Sequence, residues 1–269
     1  MTQEQKATML TDWNDIACHE GYFETFASRY LREYPQDILR LKREHTYKVL
    51  ANARMITAQE RIAGKEGRAA LLAALYHDTG RFPQYVRWRT FSDAQSENHG
   101  YLGVHVVKKE RFLSEEPEPV RKWALTAIAL HNRYRLPELP EPFRMITHVV
   151  RDADKLDIMR IMAQHLSQPI PTRDVVLHVK DEPQAWSPAV ADKVLAGEVP
   201  SYTELRYVND FRILLGSWIH DLHFASAKRT CANSGYVEAV LEGLPAEPQL
   251  EPVKQYLLNV LFSARVFRD

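Results

Sequence analysis

The sequence predicts an all-α protein, a single-domain helical bundle. Two observations carry that prediction. Apolar residues recur three or four apart through one stretch after another, which is the period of an amphipathic helix. The breaks between these stretches are short and marked by proline or glycine. No repeat, low-complexity tract or clear linker interrupts the 269 residues, so they read as one domain spanning 1–269. A chain of this length buries enough surface for a substantial core.

The elements follow in order. Trp13, Ile16, Tyr22, Phe23, Phe26 and Tyr30 space as a helix that ends before Pro35. A second helix runs from about Asp37 to Glu60, with Leu41, His45, Val49, Ala53 and Ile56 along one face. His45 lies on that apolar stripe and not among Lys42, Arg43 and Lys48. After a connection at 65–67, a helix over 68–78 carries Leu71, Leu72 and Leu75 and ends in His77-Asp78, with Gly80 as its stop signal. Residues 82–93 read as irregular, anchored by Trp88 and Phe91. Ser96 to Gly100 opens a helix that runs to about Phe112. Pro117 and Pro119 start another over 120–132, which carries His131. Beyond the proline-rich loop 136–142 lies a strong helix over 143–165, with Asp154 in it. Residues 166–188 are interrupted by prolines, and Val175–Val179 reads equally as a short strand or a helical turn. Residues 188–230 and 247–267 return to a helical pattern. The apolar-rich helices past 200 either finish the core or form the face of a homodimer.

Composition excludes several classes of function. Lys+Arg and Asp+Glu are equal at 35 each, which argues against a general binder of nucleic acid; a nucleotide would have to be recognised locally. Cys18 and Cys231 are isolated, so neither a disulfide scaffold nor a thiolate zinc site is expected. There is no signal-peptide pattern and no apolar run near the ~20 residues of a membrane span. A cytoplasmic protein without membrane contact is the expectation.

The chemistry gathers in His45, His77-Asp78, His99, His131 and Asp154, separated by steps of 32, 1, 21, 32 and 23 residues. Each group sits on a separate predicted helix or at its end, mostly beside an apolar stripe. One histidine so placed is usually a satisfied core residue. Four histidines and two carboxylates, on consecutive helices that short loops fold back on one another, instead point to a shared centre. A metal ion offsets the cost of burying such carboxylates.

The order H…HD…H…H…D resembles the HD-domain metalloproteins, named for their His-Asp dipeptide. His77-Asp-Thr-Gly-Arg81 looks like that family's HD-x-G-[KR] segment, Ser96-Glu-Asn-His99-Gly like its next histidine segment, and Asp152-Ala-Asp154-Lys-Leu like its closing segment. The resemblance spans residues 40–160, which would form the metal-binding core, with 161–269 packing onto it. It implies that His45, His77, Asp78 and Asp154 hold one metal and that His99 and His131 add a second, with Asp78 bridging. Mixed nitrogen and oxygen donors suit Mn, Fe, Co, Ni or Zn. Two such ions would lower the pKa of a shared water toward about 7 and stabilise charge on a phosphoryl group. The family pattern selects Asp154 over its neighbours Asp152 and Asp157.

The resemblance also casts Arg81 as a contact to a substrate phosphate, alongside Asp78 in the catalytic machinery. Lys155 and Arg133, with Arg135 beside it, are further candidates for substrate binding, and Glu97 for support of His99. A second dipeptide, His220-Asp221, lacks the Gly-Arg tail and reads as a helix terminus. The remaining histidines, at 19, 105, 148, 165, 178 and 223, read as structural or exposed. The expected activity is metal-dependent hydrolysis of a phosphomono- or phosphodiester of a nucleotide or other small molecule. The alternatives are a mixed-valent di-iron oxygenase of the same fold and a non-catalytic metal-containing sensor.

Overall fold

The structure, a computed structural model, describes residues 13–34, 37–166 and 179–266. Residues 175–178, most of the stretch left open between strand and helical turn, lie outside these. The described residues are all-α: no strand forms among them, and Lys180 and Tyr207 make an isolated parallel bridge. The chain gathers into two compact units, Met1–Ala153 and Asp154–Asp269.

The first unit is built around helix α3, Gly64–Tyr76, with α1 at Ala17–Glu33 and α2 at Asp37–Gln59 before it. Its run Arg68-Ala-Ala-Leu-Leu-Ala-Ala-Leu-Tyr76 combines strong helix formers with small side chains. Ala69 through Tyr76 are buried almost completely, so the helix is enclosed on every side. It packs against α2, against α6 (Glu118–Leu130) and against α1. Phe26 meets Phe82 and Phe112 edge-on at 5.4 and 5.8 Å, and Tyr76 stacks on Phe112 at 4.8 Å. Large apolar rings thus fill the base of the unit.

Two local expectations are corrected. The stretch after the His-Asp dipeptide is not irregular but forms helix α4, Arg81–Trp88. Pro83 falls in its first turn, where the missing N–H is no loss, and Arg89 ends it in the left-handed region at φ 56°. Gly80, expected to stop the helix before it, instead caps the start of α4, four residues past the end of α3, with a helical φ of −63°. Glycine is needed there because a Cβ would lie 2.3 Å from the His99 carbonyl and 2.6 Å from the Gly103 nitrogen. That close approach seats α5, His99–Lys109, directly on the segment that follows Asp78.

Helix α7, Phe143–Leu166, carries the boundary between the units. In the second unit the expected helical runs resolve into short helices: α8 (Pro188–Leu195), α9 (Val208–Ser217), α10 (Ala225–Asn233) and α11 (Tyr236–Glu242), followed by α12 (Glu251–Val266). Buried Asp210 organises their start, accepting hydrogen bonds from the Ser187 amide and hydroxyl at 2.6 and 2.8 Å and from the Arg206 amide at 2.8 Å. No described helix is long and apolar enough to cross a membrane.

Candidate metal centre

His77 and His131 occupy equivalent places. Each is the residue just past a helix, α3 or α6, with its backbone still helical. Each turns Nδ1 back to the carbonyl three residues earlier, Ala74 or Ile128, at 2.8 Å. A carbonyl only accepts, so Nδ1 carries the proton and the bare Nε2 faces inward. His99, the first residue of α5, points Nδ1 at both oxygens of Asp93, each at 2.8 Å, which fixes the same tautomer. His45 comes from the middle of α2.

The four rings converge. The Nε2 atoms of His45 and His77 lie 3.4 Å apart, and those of His99 and His131 lie 3.1 Å apart. Between His99 and His131 no proton is available to share, because both hold theirs on Nδ1. Two lone pairs aimed at each other from buried rings are the donor arrangement of a cation site. All four histidines and Asp78 are at most 4 % exposed.

Asp78 stands between the pairs, and its two oxygens divide them. Oδ2 lies 3.7 Å from His45 Nε2 and 3.8 Å from His77 Nε2. Oδ1 lies 3.5 Å from His99 Nε2 and 3.9 Å from His131 Nε2. The donor atoms of His45, His77 and Asp78 fall within 4.8 Å of one another, and so do those of Asp78, His99 and His131. These residues fit a divalent transition ion in donor type, tautomer and spacing. Burial works to raise the Asp78 carboxyl, but Lys42, His77, Arg81 and His99 together hold it well below the usual carboxylate range. Burial pushes His99 down to about 4, so its imidazole is neutral and able to donate a lone pair at neutral pH.

Arg81, the expected phosphate contact, reaches the same carboxylate. Its Nε lies 3.5 Å from Asp78 Oδ1, and that buried nitrogen has no hydrogen-bond partner. Its Nη1 is held by Gln84 Oε1 at 2.8 Å, the Phe91 carbonyl at 2.6 Å and Asp93 at 3.2 Å. Arg133 is exposed and donates to the Tyr101 hydroxyl. Lys155 lies in the second unit, with Nζ 2.6 Å from Asp221 Oδ2 and facing the Trp218 ring. Asp221 thus has an ion partner. The His220 ring stacks on Tyr256, and neither member of that dipeptide belongs to a set of donors close enough to share an ion among the described residues.

Asp154 follows Ala153 on α7 and is half-buried. The helix is fastened just ahead of it: Asn52 Nδ2 on α2 donates to the Ala153 carbonyl at 3.0 Å, and Arg151 donates to the His131 carbonyl at 2.9 Å. Of the rival carboxylates, Asp157 is bound by Arg160 at 2.6 Å, and Asp152 is fully buried.

Three residues escaped the reading of the sequence. Asp93 accepts from His99, from Gln84 Nε2 at 2.9 Å and from Asn132 Nδ2 at 3.0 Å. Burial works to raise its carboxyl, yet His99 and Arg81 hold it at about 2. It opens a short 3-10 turn, Asp93–Gln95, six residues before His99, a spacing with no periodic signal. Gln84, fully buried, also donates to the Ser96 hydroxyl at 2.8 Å and locks that segment. Lys42 is a correction: the sequence sets it apart from His45 and its apolar stripe, yet it meets the same centre. Residues three apart share a helix face, and Lys42 Nζ reaches Asp78 Oδ2 at 2.8 Å.

Asp93→Asn is expected to weaken metal affinity by about 10- to 100-fold while leaving the helical content unchanged, because a neutral amide no longer fixes the His99 tautomer. Competition against a chelator measures this; an unchanged affinity would show that Asp93 does not set the ring.

Four imidazoles and the Asp78 carboxylate, brought to one buried point, define an all-helical protein with a cluster that could hold metal ions. Residues 42–159 match the HD domain family. Proteins of this family are generally metal-dependent hydrolases. No curated protein and no solved structure matches the chain.

Proposed function

We propose that the protein is a metal-dependent phosphohydrolase acting on a phosphate ester of a nucleotide or another small molecule. His45, His77, Asp78 and Asp154 would hold one divalent transition ion, and Asp78, His99 and His131 a second. The observation that carries this reading is the division of the Asp78 oxygens, one toward each histidine pair. When bound, such ions supply a nucleophilic water at neutral pH and positive charge for the phosphoryl oxygens.

The chain's own residues do the rest. The Ala74 and Ile128 carbonyls and the Asp93 carboxylate hold three imidazoles with Nε2 inward, so their donor geometry needs no rearrangement when an ion binds. Burial of all four rings keeps bulk water from the donor atoms and strengthens their electrostatics. Arg81, held through Nη1, presents Nε toward the centre, where a guanidinium N–H can meet a phosphoryl oxygen.

Elemental analysis of protein purified without chelator tests the reading, followed by release of phosphate from a panel of mono- and diesters. Two ions of Mn, Co, Ni, Zn or Fe per chain with metal-dependent turnover is the expected result. A chain that holds no ion after reloading overturns it. Two irons with uptake of O2 and no ester hydrolysis would replace it with the oxygenase reading.

A further inference from the structure

Lys42 has no part in holding the metals, yet its ammonium lies at the centre. Nζ is 2.8 Å from Asp78 Oδ2, on the oxygen opposite to the one that Arg81 Nε approaches at 3.5 Å. Both cations also lie against the same aromatic ring: Lys42 Nζ is 5.4 Å and the Arg81 guanidinium carbon 5.5 Å from the centroid of Phe91. The two side chains are mostly buried, at 19 and 15 % exposure. A lysine ammonium is a compact, strongly hydrated charge, and burying it beside another cation needs an anion in return.

Arg81 also pairs with Asp93 at 3.2 Å, but the carboxylate that faces both cations is that of Asp78. In the metal-loaded centre its two oxygens would be committed to the ions. The donor set would then be four neutral imidazoles and two carboxylates, which leaves two divalent ions only partly neutralised. Lys42 and Arg81 add further positive charge on one side of that centre, of which the Asp93 carboxylate offsets one unit. A doubly charged ligand balances this better than a singly charged one. Phosphate carried as a monoester is a dianion at neutral pH, whereas a diester holds one charge.

We infer that Lys42 and Arg81, set against Phe91, form a cationic pair that selects a phosphomonoester over a phosphodiester, with Lys42 as a substrate-binding residue. This rests on the phosphohydrolase reading and narrows its substrate class. Arg81 would make directed hydrogen bonds and Lys42 would act as a point charge, so Lys42 would contribute most where the second negative charge resides.

The test measures binding of inorganic phosphate and of dimethyl phosphate to the metal-loaded protein by calorimetry, with metal content determined on the same samples. The wild type is expected to bind phosphate at least tenfold more tightly than dimethyl phosphate. Lys42→Met is expected to keep two ions per chain, to weaken phosphate binding by about tenfold and to change dimethyl phosphate binding by less than about threefold. Lys42→Arg should restore most of the phosphate affinity, which a merely structural loss would not. Equal losses for both ligands, no loss, or a wild type without preference would overturn this inference while leaving a two-metal hydrolase standing. A protein that holds no ion would overturn both.

Discussion

Asp78→Ala is expected to remove both metal ions and to abolish turnover, with a loss on the order of 10⁴-fold or more. The reason is geometric. Asp78 Oδ2 faces His45 and His77, and Oδ1 faces His99 and His131, so one truncation takes a ligand from each pair. It also leaves Lys42 and Arg81 facing an apolar methyl group, which adds repulsion where a cation should bind. Alanine fits the backbone at this position, so far-UV circular dichroism should match the wild type. Elemental analysis after reloading decides the matter. A variant that still carries two ions per chain would show that Asp78 does not bridge them.

Glu116→Gln is expected to destabilise the first unit by roughly 3 kcal/mol, although it lies outside the metal centre. Glu116 is a buried carboxylate gripped by Arg68 through Nε and Nη2, both at 2.7 Å, and by His19 Nε2 at 2.9 Å. His19 Nδ1 in turn meets the Tyr76 hydroxyl at 3.0 Å. The cluster ties α1 to α3 and to the segment before α6, through the residue next to His77. Glutamine keeps an acceptor but removes the charge, which leaves a buried guanidinium without its counter-ion. Burial works to raise the Glu116 carboxyl, but His19 and Arg68 bring it from the ordinary 4.5 down to about 2. A carboxyl lowered on folding stabilises the folded state fully above about pH 4.5, and the contribution fades as pH falls through about 2. Denaturant melts of wild type and variant between pH 7 and 2 test both points. The gap between them should be widest near neutral pH and close toward pH 2. A gap that stays constant with pH would mean that the Glu116 charge is not what holds these elements together.

Much of the centre was legible because its residues sit where periodicity speaks. His45 falls on the apolar stripe of α2, and His77 and His131 each close an apolar helix, so their burial follows from the same spacing that predicts the helices. The all-α class follows from that spacing as well. The Arg81–Trp88 helix is short and gives little periodic signal, and Pro83 in its first turn costs no hydrogen bond. Lys42 groups with Arg43 and Lys48, off the apolar stripe, because hydropathy alone sorts a lysine there. Its position three residues before His45 places it on the same face, but only the packing of α2 against the His77-Asp78 segment shows what its ammonium meets.

The sequence by itself determined the fold class, the HD stretch and the identity of the candidate ligands, since each is a local property of residue type and spacing. Tertiary structure alone decided which nitrogen of each ring faces inward, that Asp93 and Gln84 steady His99, how the Asp78 oxygens are shared, and that two cations flank them. Those facts depend on contacts between segments that no periodic signal links, and they are set by how closely backbones approach, as at Gly80 against the turn at His99.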